Sequence, residues 1–235
     1  MRLMIASLVL LVGTLFSVGQ PLEPCGRCTA EPAGCECKPC KCGDNCLCAL
    51  RAAYVQVNSP REDGKVLVGS GCVITIKGKL AVLTARHVVA DAAATVTVRK
   101  TVGKITTTWQ AAEVVMSEST DLAVIYLKDA TGLKPVSMGK PRPFVQGEPC
   151  DVFHTTANLH GGYDDPRVHS TEAVEGSVTL NCHCSFGSSG ASVFTRDRVL
   201  IGVISRAAST DPRAPTICVD RASIDQFIEL LNARP

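Results

Sequence analysis

From residue 52 onward, apolar and polar positions alternate in short runs, each ended by Gly, Asp, Lys or Pro. Runs rich in Val, Ile and Thr cover residues 53–57, 66–76, 80–84, 95–98, 112–115 and 122–127, then 149–154, 176–180, 191–195, 199–205 and 216–219. Branched side chains at a period of two suit a pleated surface with a buried face, so each run predicts a strand. Many short strands without helical runs between them predict an all-β barrel or sandwich and argue against a βαβ protein. One helix is expected at the end, where Ile224, Phe227, Ile228 and Leu231 recur at three- and four-residue steps. That spacing makes a single apolar stripe. Residues 155–175 are polar and contain glycine, which predicts a long loop or a weakly ordered hairpin.

The first fifty residues have a different texture. Arg2 precedes an apolar stretch from Leu3 to Val18, and Ser17 and Gly19 supply small residues at its end. This is the layout of a secretory leader over residues 1–19, with export as its consequence. The stretch is short of the ~20 residues of a membrane span, although an uncleaved anchor is the alternative. Residues 20–51 form a cysteine-rich segment with Cys25, Cys28, Cys35, Cys37, Cys40, Cys42, Cys46 and Cys48. Few large apolar residues lie among them, so this segment cannot bury a core and must be stapled or remain loose. Two readings are open: disulfides, favoured by an oxidising compartment, or thiolates wrapping a soft metal. The third segment, 52–235, is long enough for one large domain or two small barrels.

Charge changes the picture little. The 24 Lys and Arg nearly balance 22 Asp and Glu, leaving a net charge of +2. No basic stripe appears, which argues against a nucleic-acid or membrane-surface partner.

Three short segments carry candidate chemistry. In Gly187-Ser188-Ser189-Gly190-Ala191-Ser192, two glycines flank a serine pair just before an apolar run. A nucleophilic serine needs a sharp turn that aims backbone N–H groups at the substrate carbonyl, and glycine permits both. Ser189 is then the attacking residue, with the N–H groups of Gly187 and Ser189 as an oxyanion hole. In Leu83-Thr84-Ala85-Arg86-His87-Val88-Val89, a histidine follows an apolar strand. In Ser119-Thr120-Asp121-Leu122-Ala123-Val124-Ile125, an acid opens one. A buried carboxylate that accepts the histidine Nδ1–H fixes the tautomer a general base needs. Each segment alone is ordinary; the order His, Asp, Ser is much less so. His154, His160 and His169 share no tight ligand spacing and are read as surface loop residues, and no metal or organic cofactor is implied.

With these residues the chain resembles the chymotrypsin/trypsin superfamily, and most closely its exported bacterial Deg-type branch. "LTARHVV", "DLAVIYL" and "GSSGAS" are similar to its histidine, aspartate and serine motifs, and "VLIGVIS" to the strand lining its substrate cleft. The resemblance spans about residues 55–231. It implies two six-stranded antiparallel β-barrels with a C-terminal helix and the triad in the cleft between them. It also implies that Ser205 supports the buried aspartate and helps bind substrate backbone. His183 falls near the floor of the family's primary pocket, Ala207 on its wall and Arg206 by the adjoining subsite. No acid is evident at that floor, so a preference for Lys or Arg is not implied, whereas His183 suits an acidic or amide side chain.

Several positions depart from the family. Ser188 stands where the digestive enzymes carry the aspartate that pairs with a new N-terminus, so that activation switch is expected to be absent. Val88 stands where a cysteine often follows the histidine, leaving Cys72 without its usual partner. Ala191 replaces a frequent glycine. No PDZ-like region is seen after residue 231. In the family the nucleophile loop approaches the segment after the cleft strand, which implies a pairing of Cys182 or Cys184 with Cys218. The expected activity is an exported serine endopeptidase acting on a protein or peptide substrate. Its alternative is a catalytically silent, protease-like binding protein that uses the cysteine-rich segment for partner binding, surface attachment or metal capture.

Overall fold

The computed structural model describes residues 47–142, 144–156, 161–164, 166–170, 176–182, 185–207 and 214–234. The leader, the cysteine-rich segment up to residue 46, His160, His183 and Cys184 lie outside the described residues. A short helix, α1 (Leu47–Ala53), leads into β1 (Tyr54–Pro60), β2 (Val66–Ile76) and β3 (Lys79–Thr84). One helical turn, α2 (Arg86–Val89), separates these from β4 (Thr97–Val102), β5 (Ile105–Met116) and β6 (Ala123–Leu127). The second half contains β7 (Cys150–Thr155), β8 (Gly161–Asp164), β9 (Val168–Ser170) and β10 (Ser177–Leu180). It continues with β11 (Ser192–Thr195), β12 (Leu200–Ala207), β13 (Thr216–Asp220) and the closing helix α3 (Arg221–Ala233).

The first six strands close into an antiparallel barrel in the order β1-β2-β3-β6-β5-β4, with β1 pairing back onto β4. Closure removes both free edges. The second half is a seven-stranded antiparallel sheet in the order β8-β7-β11-β12-β13-β10-β9. The double-barrel architecture that the sequence implied is present, as one closed six-stranded barrel and, among the described residues, a half-barrel sheet of seven strands. The extra strands lie in residues 155–175, the stretch expected to be a long loop or a weakly ordered hairpin. There β8 adds to β7 and β9 adds to β10, one at each edge.

Alternation explains the layers. In β1, Val55 and Val57 are fully buried while Tyr54 and Gln56 are half-buried. Inside the first barrel they meet Val73, Val82, Leu83, Val98, Val124 and Ile125. Val152, Val178, Leu180, Val193, Ile201 and Ile204 make the core of the second sheet. The α1 helix joins the first core through Leu50 and Ala53, and its last carbonyls, those of Arg51 and Ala52, accept from Lys100 Nζ. A cation there satisfies orphan acceptors and opposes the negative end of the helix. The α3 helix begins at Asp220, whose side chain accepts from Ser223 N–H. Its stripe of Ile224, Phe227, Ile228 and Leu231 is buried, as the periodicity predicted, each side chain contributing about 1.5–3 kcal/mol.

Among the described residues no disulfide joins Cys218, and Cys184, one of its two expected partners, lies outside them. Cys218 carries a free thiol in the core of the second sheet, and burial pushes it well above its ordinary pKa. Cys72 is also a buried free thiol, pushed up to about 12 by burial, so it is unreactive at neutral pH.

Candidate active site

The nucleophile loop is two tight turns in succession. Ser188 N–H donates to Ser185 O (3.1 Å), and Ala191 N–H donates to Ser188 O (3.0 Å). Each turn places a glycine at its third position with positive φ, +95° at Gly187 and +88° at Gly190, as type II turns demand. A Cβ on Gly190 would stand 2.2 Å from Ser70 O and 2.3 Å from Thr84 Oγ1, so the position excludes any side chain. Ser189 sits at the apex between them. Because Ser188 O is held by Ala191 N–H, the far side of the same peptide turns Ser189 N–H away from the turn. Among the described residues, neither that N–H nor the one of Gly187 has an acceptor. The loop is tied to both halves of the molecule: Ser70 N–H donates to Ser189 O (2.7 Å) and Gly190 N–H to Ile204 O (2.8 Å).

His87 lies on α2, where Val88 and Val89 turn into the core and leave His87 exposed. Asp121, just before β6, grips it at two points. His87 N–H donates to Oδ1 (2.9 Å), and the ring Nδ1 meets Oδ2 (2.8 Å). Ser205 Oγ–H donates to the same Oδ2 (2.5 Å). The ladder between β12 and β13 shifts register between Ile204 and Arg206, which makes Ser205 the extra residue of a bulge. A bulge re-aims one side chain, here toward Asp121. Burial raises the Asp121 pKa, but the hydrogen bonds from His87 and Ser205 outweigh it and hold the carboxyl below its ordinary value. Ser189 Oγ donates to Ser205 O (3.2 Å), which closes the constellation of His87, Asp121, Ser189 and Ser205.

The trypsin-like peptidase domain model matches residues 69–203, more than half of the chain. The chain belongs to the trypsin-like peptidase family. Among solved structures, this trypsin-like peptidase is similar to the serine endoprotease from Yersinia pestis at 22% identity and a TM-score of 0.67, covering 80% of this chain and 65% of that one. The active form of the Rv3671c protease from M. tuberculosis gives 20% and 0.68, covering 80% and 85%. The HtrA-type protease AlgW with tripeptide gives 17% and 0.68, covering 80% and 63%. The chain thus spans slightly less than two thirds of the Yersinia and AlgW proteins. These likenesses show a shared fold with HtrA- and Deg-type proteases. No curated protein sequence matches the chain.

Other expected residues of the trypsin-like peptidase fall out variously. Arg206 is exposed on β12 beside the bulge, and the backbone of Ala207 ends that strand opposite Thr216. His183 lies outside the described residues. His154 corrects its reading as a surface loop residue, because it is buried on β7 directly beneath the nucleophile loop. Its Nε2 pairs with Asp164 Oδ2 (2.9 Å), and its Nδ1 lies 3.1 Å from Thr155 O and 3.2 Å from Ser188 Oγ. His169 is exposed on β9. Sequence gave no signal for the His154–Ser188 contact, since the partners are 34 residues apart and belong to no common motif.

This buried histidine predicts a pH effect on stability. Burial lowers the His154 pKa, but the hydrogen bond and charge of Asp164, with Thr155 O, more than reverse that and raise it above 6.5. Among the described residues, Cys182 also acts on it, in the same direction. A raised folded-state pKa stabilises most below the unfolded value, and the gain fades as pH climbs through the raised one. Asp164→Asn removes the main cause. Thermal midpoints measured between about pH 5.5 and 8.5 are expected to show the native chain losing part of its advantage over the variant above about pH 6.5. Parallel curves would refute this.

Proposed function

We propose that the chain is an exported serine endopeptidase that cleaves protein or peptide substrates through an acyl-enzyme on Ser189. The observation that supports this most is the two-point grip of Asp121 on His87, because a carboxylate that accepts from Nδ1–H leaves Nε2 as a base. In the first step Ser189 Oγ turns from Ser205 O toward His87 Nε2, gives up its proton there and bonds to the scissile carbonyl carbon. The carbonyl oxygen becomes an anion, stabilised by the N–H groups of Gly187 and Ser189. Collapse breaks the C–N bond, and His87 returns its proton to the leaving amine. Water then attacks the ester with His87 again as base, and release of the acid restores Ser189. Asp121 stabilises the imidazolium in both halves. By the family resemblance, Ser205 helps bind the substrate backbone, Ala207 matches a wall of the primary pocket, Arg206 the adjoining subsite and His183 the pocket floor.

Export rests on the leader pattern of residues 1–19, and anchoring or partner binding by residues 20–51 on their cysteines. Among the described residues no helix is long and apolar enough to cross a membrane.

Treating the protein with a fluorophosphonate and mapping the adduct by mass spectrometry tests the reading. Modification of Ser189, with Ser188 and Ser192 untouched, is the expected result. An unmodified Ser189 would leave the silent, protease-like binding protein as the better account.

A further inference from the structure

Ser70, in the middle of β2, is fully buried and makes four hydrogen bonds to three other segments. Its backbone N–H donates to Ser189 O (2.7 Å), and its carbonyl accepts from Thr84 Oγ1 (2.7 Å). Its hydroxyl accepts from Thr155 N–H (2.8 Å) and donates to Gly187 O (2.6 Å). The direction of this last bond is fixed, because an amide N–H can only donate and a carbonyl can only accept. Thr155 is itself held, with Tyr54 OH at 2.7 Å from its Oγ1 and Gly69 O accepting from it at 3.2 Å.

The consequence falls on the peptide between Gly187 and Ser188. Ser185 O holds its N–H end and Ser70 Oγ holds its carbonyl end, so its plane is pinned from both sides. That matters most at glycine, whose backbone rotates more freely than any other residue's. The Gly187 N–H belongs to the preceding peptide and is joined to this plane through the Gly187 Cα alone, so losing the anchor frees rotation about Gly187 ψ and loosens the turn that presents the N–H. We propose that Ser70 is a positioning residue of the oxyanion hole: its hydroxyl anchors the Gly187 carbonyl and so holds the turn that presents the Gly187 N–H. The inference rests on the hydrolytic reading given above. Ser70 acts through Gly187 and touches no substrate.

The test compares the full chain with Ser70→Ala, which leaves Gly187 O and Thr155 N–H without their partner. Turnover of a peptide substrate is expected to fall about 10- to 100-fold with KM changed less than about twofold, since only the developing anion uses this N–H. Affinity for a peptide boronic acid, whose adduct on Ser189 carries the tetrahedral negative charge, should fall by the same factor. Affinity for the cleaved product peptide should stay unchanged. A variant with a lower melting temperature but native turnover and boronate affinity, measured well below that temperature, would show a purely structural role and overturn the proposal. If the alanine variant does not fold, Ser70→Cys fills the space with a much weaker donor, and the same three measurements decide. Native protein that takes up no fluorophosphonate at Ser189 overturns the hydrolytic reading itself, a result distinct from native protein that reacts and a Ser70 variant that reacts equally fast.

Discussion

Replacing Ser189 with alanine is expected to lower peptide turnover by about 10⁶-fold, and His87→Ala by a similar factor. The two losses should not add. In the proposed mechanism Ser189 supplies the atom that bonds to the carbonyl and His87 takes the proton that this attack releases, so either absence removes the whole covalent route. Asp121 already holds the imidazole at both its ring and its backbone, while Ser189 Oγ lies against Ser205 O in the resting arrangement. In the proposed mechanism a swing of the Ser189 hydroxyl brings the two together. The double variant should therefore retain about the same residual rate as either single one, carried by substrate binding and by the Gly187 and Ser189 N–H groups. Single-turnover kinetics on purified single and double variants measure this. A double variant far slower than both singles would mean that the two side chains act independently, and the proposed mechanism would fail.

Much of this arrangement was legible because each motif carries its own local constraint. Gly187 and Gly190 announce two turns with positive φ, and an acid before Leu122-Ala123-Val124 announces a strand entered from a polar corner. Strand β2 spans residues 66–76, as its unbroken apolar and small-residue run predicted. What escaped has a common physical origin. β8 is Gly161-Gly162-Tyr163-Asp164, with no branched residue, and it forms because β7 offers an edge, not because its own sequence prefers a strand. The bulge at Ser205 arises from a mismatch between β12 and β13, which no single strand encodes. His154 and Ser70 gain their roles from partners 34 and 117 residues away, and serines and histidines are too common for pairing to be read from spacing.

Asp121→Asn is expected to lower turnover by about 10⁴-fold while leaving the fold intact. The reason lies in the direction of three hydrogen bonds. Asp121 Oδ1 accepts from His87 N–H, and Oδ2 accepts both from Ser205 Oγ–H and from the ring side of His87. An amide offers only one accepting oxygen. If its nitrogen takes the place of Oδ1, it meets the backbone N–H of His87, a donor that cannot reverse. If it takes the place of Oδ2, Ser205 can rotate its hydroxyl to accept, and the imidazole can accept at Nδ1. The second arrangement leaves fewer donors opposed and is the expected one. It moves the ring proton to Nε2, where the base must be unprotonated to receive the Ser189 proton, so catalysis fails although every side chain stays in place. In the native chain the lowered pKa of Asp121 keeps the carboxylate charged at neutral pH, and its stabilising contribution is lost only as pH falls through that lowered value. Ser205→Ala should cost far less, about tenfold, because the two-point grip of Asp121 on His87 survives it. Turnover at neutral pH, with melting temperatures to verify folding, measures both variants. An asparagine variant that keeps a tenth or more of native turnover would remove Asp121 from the mechanism.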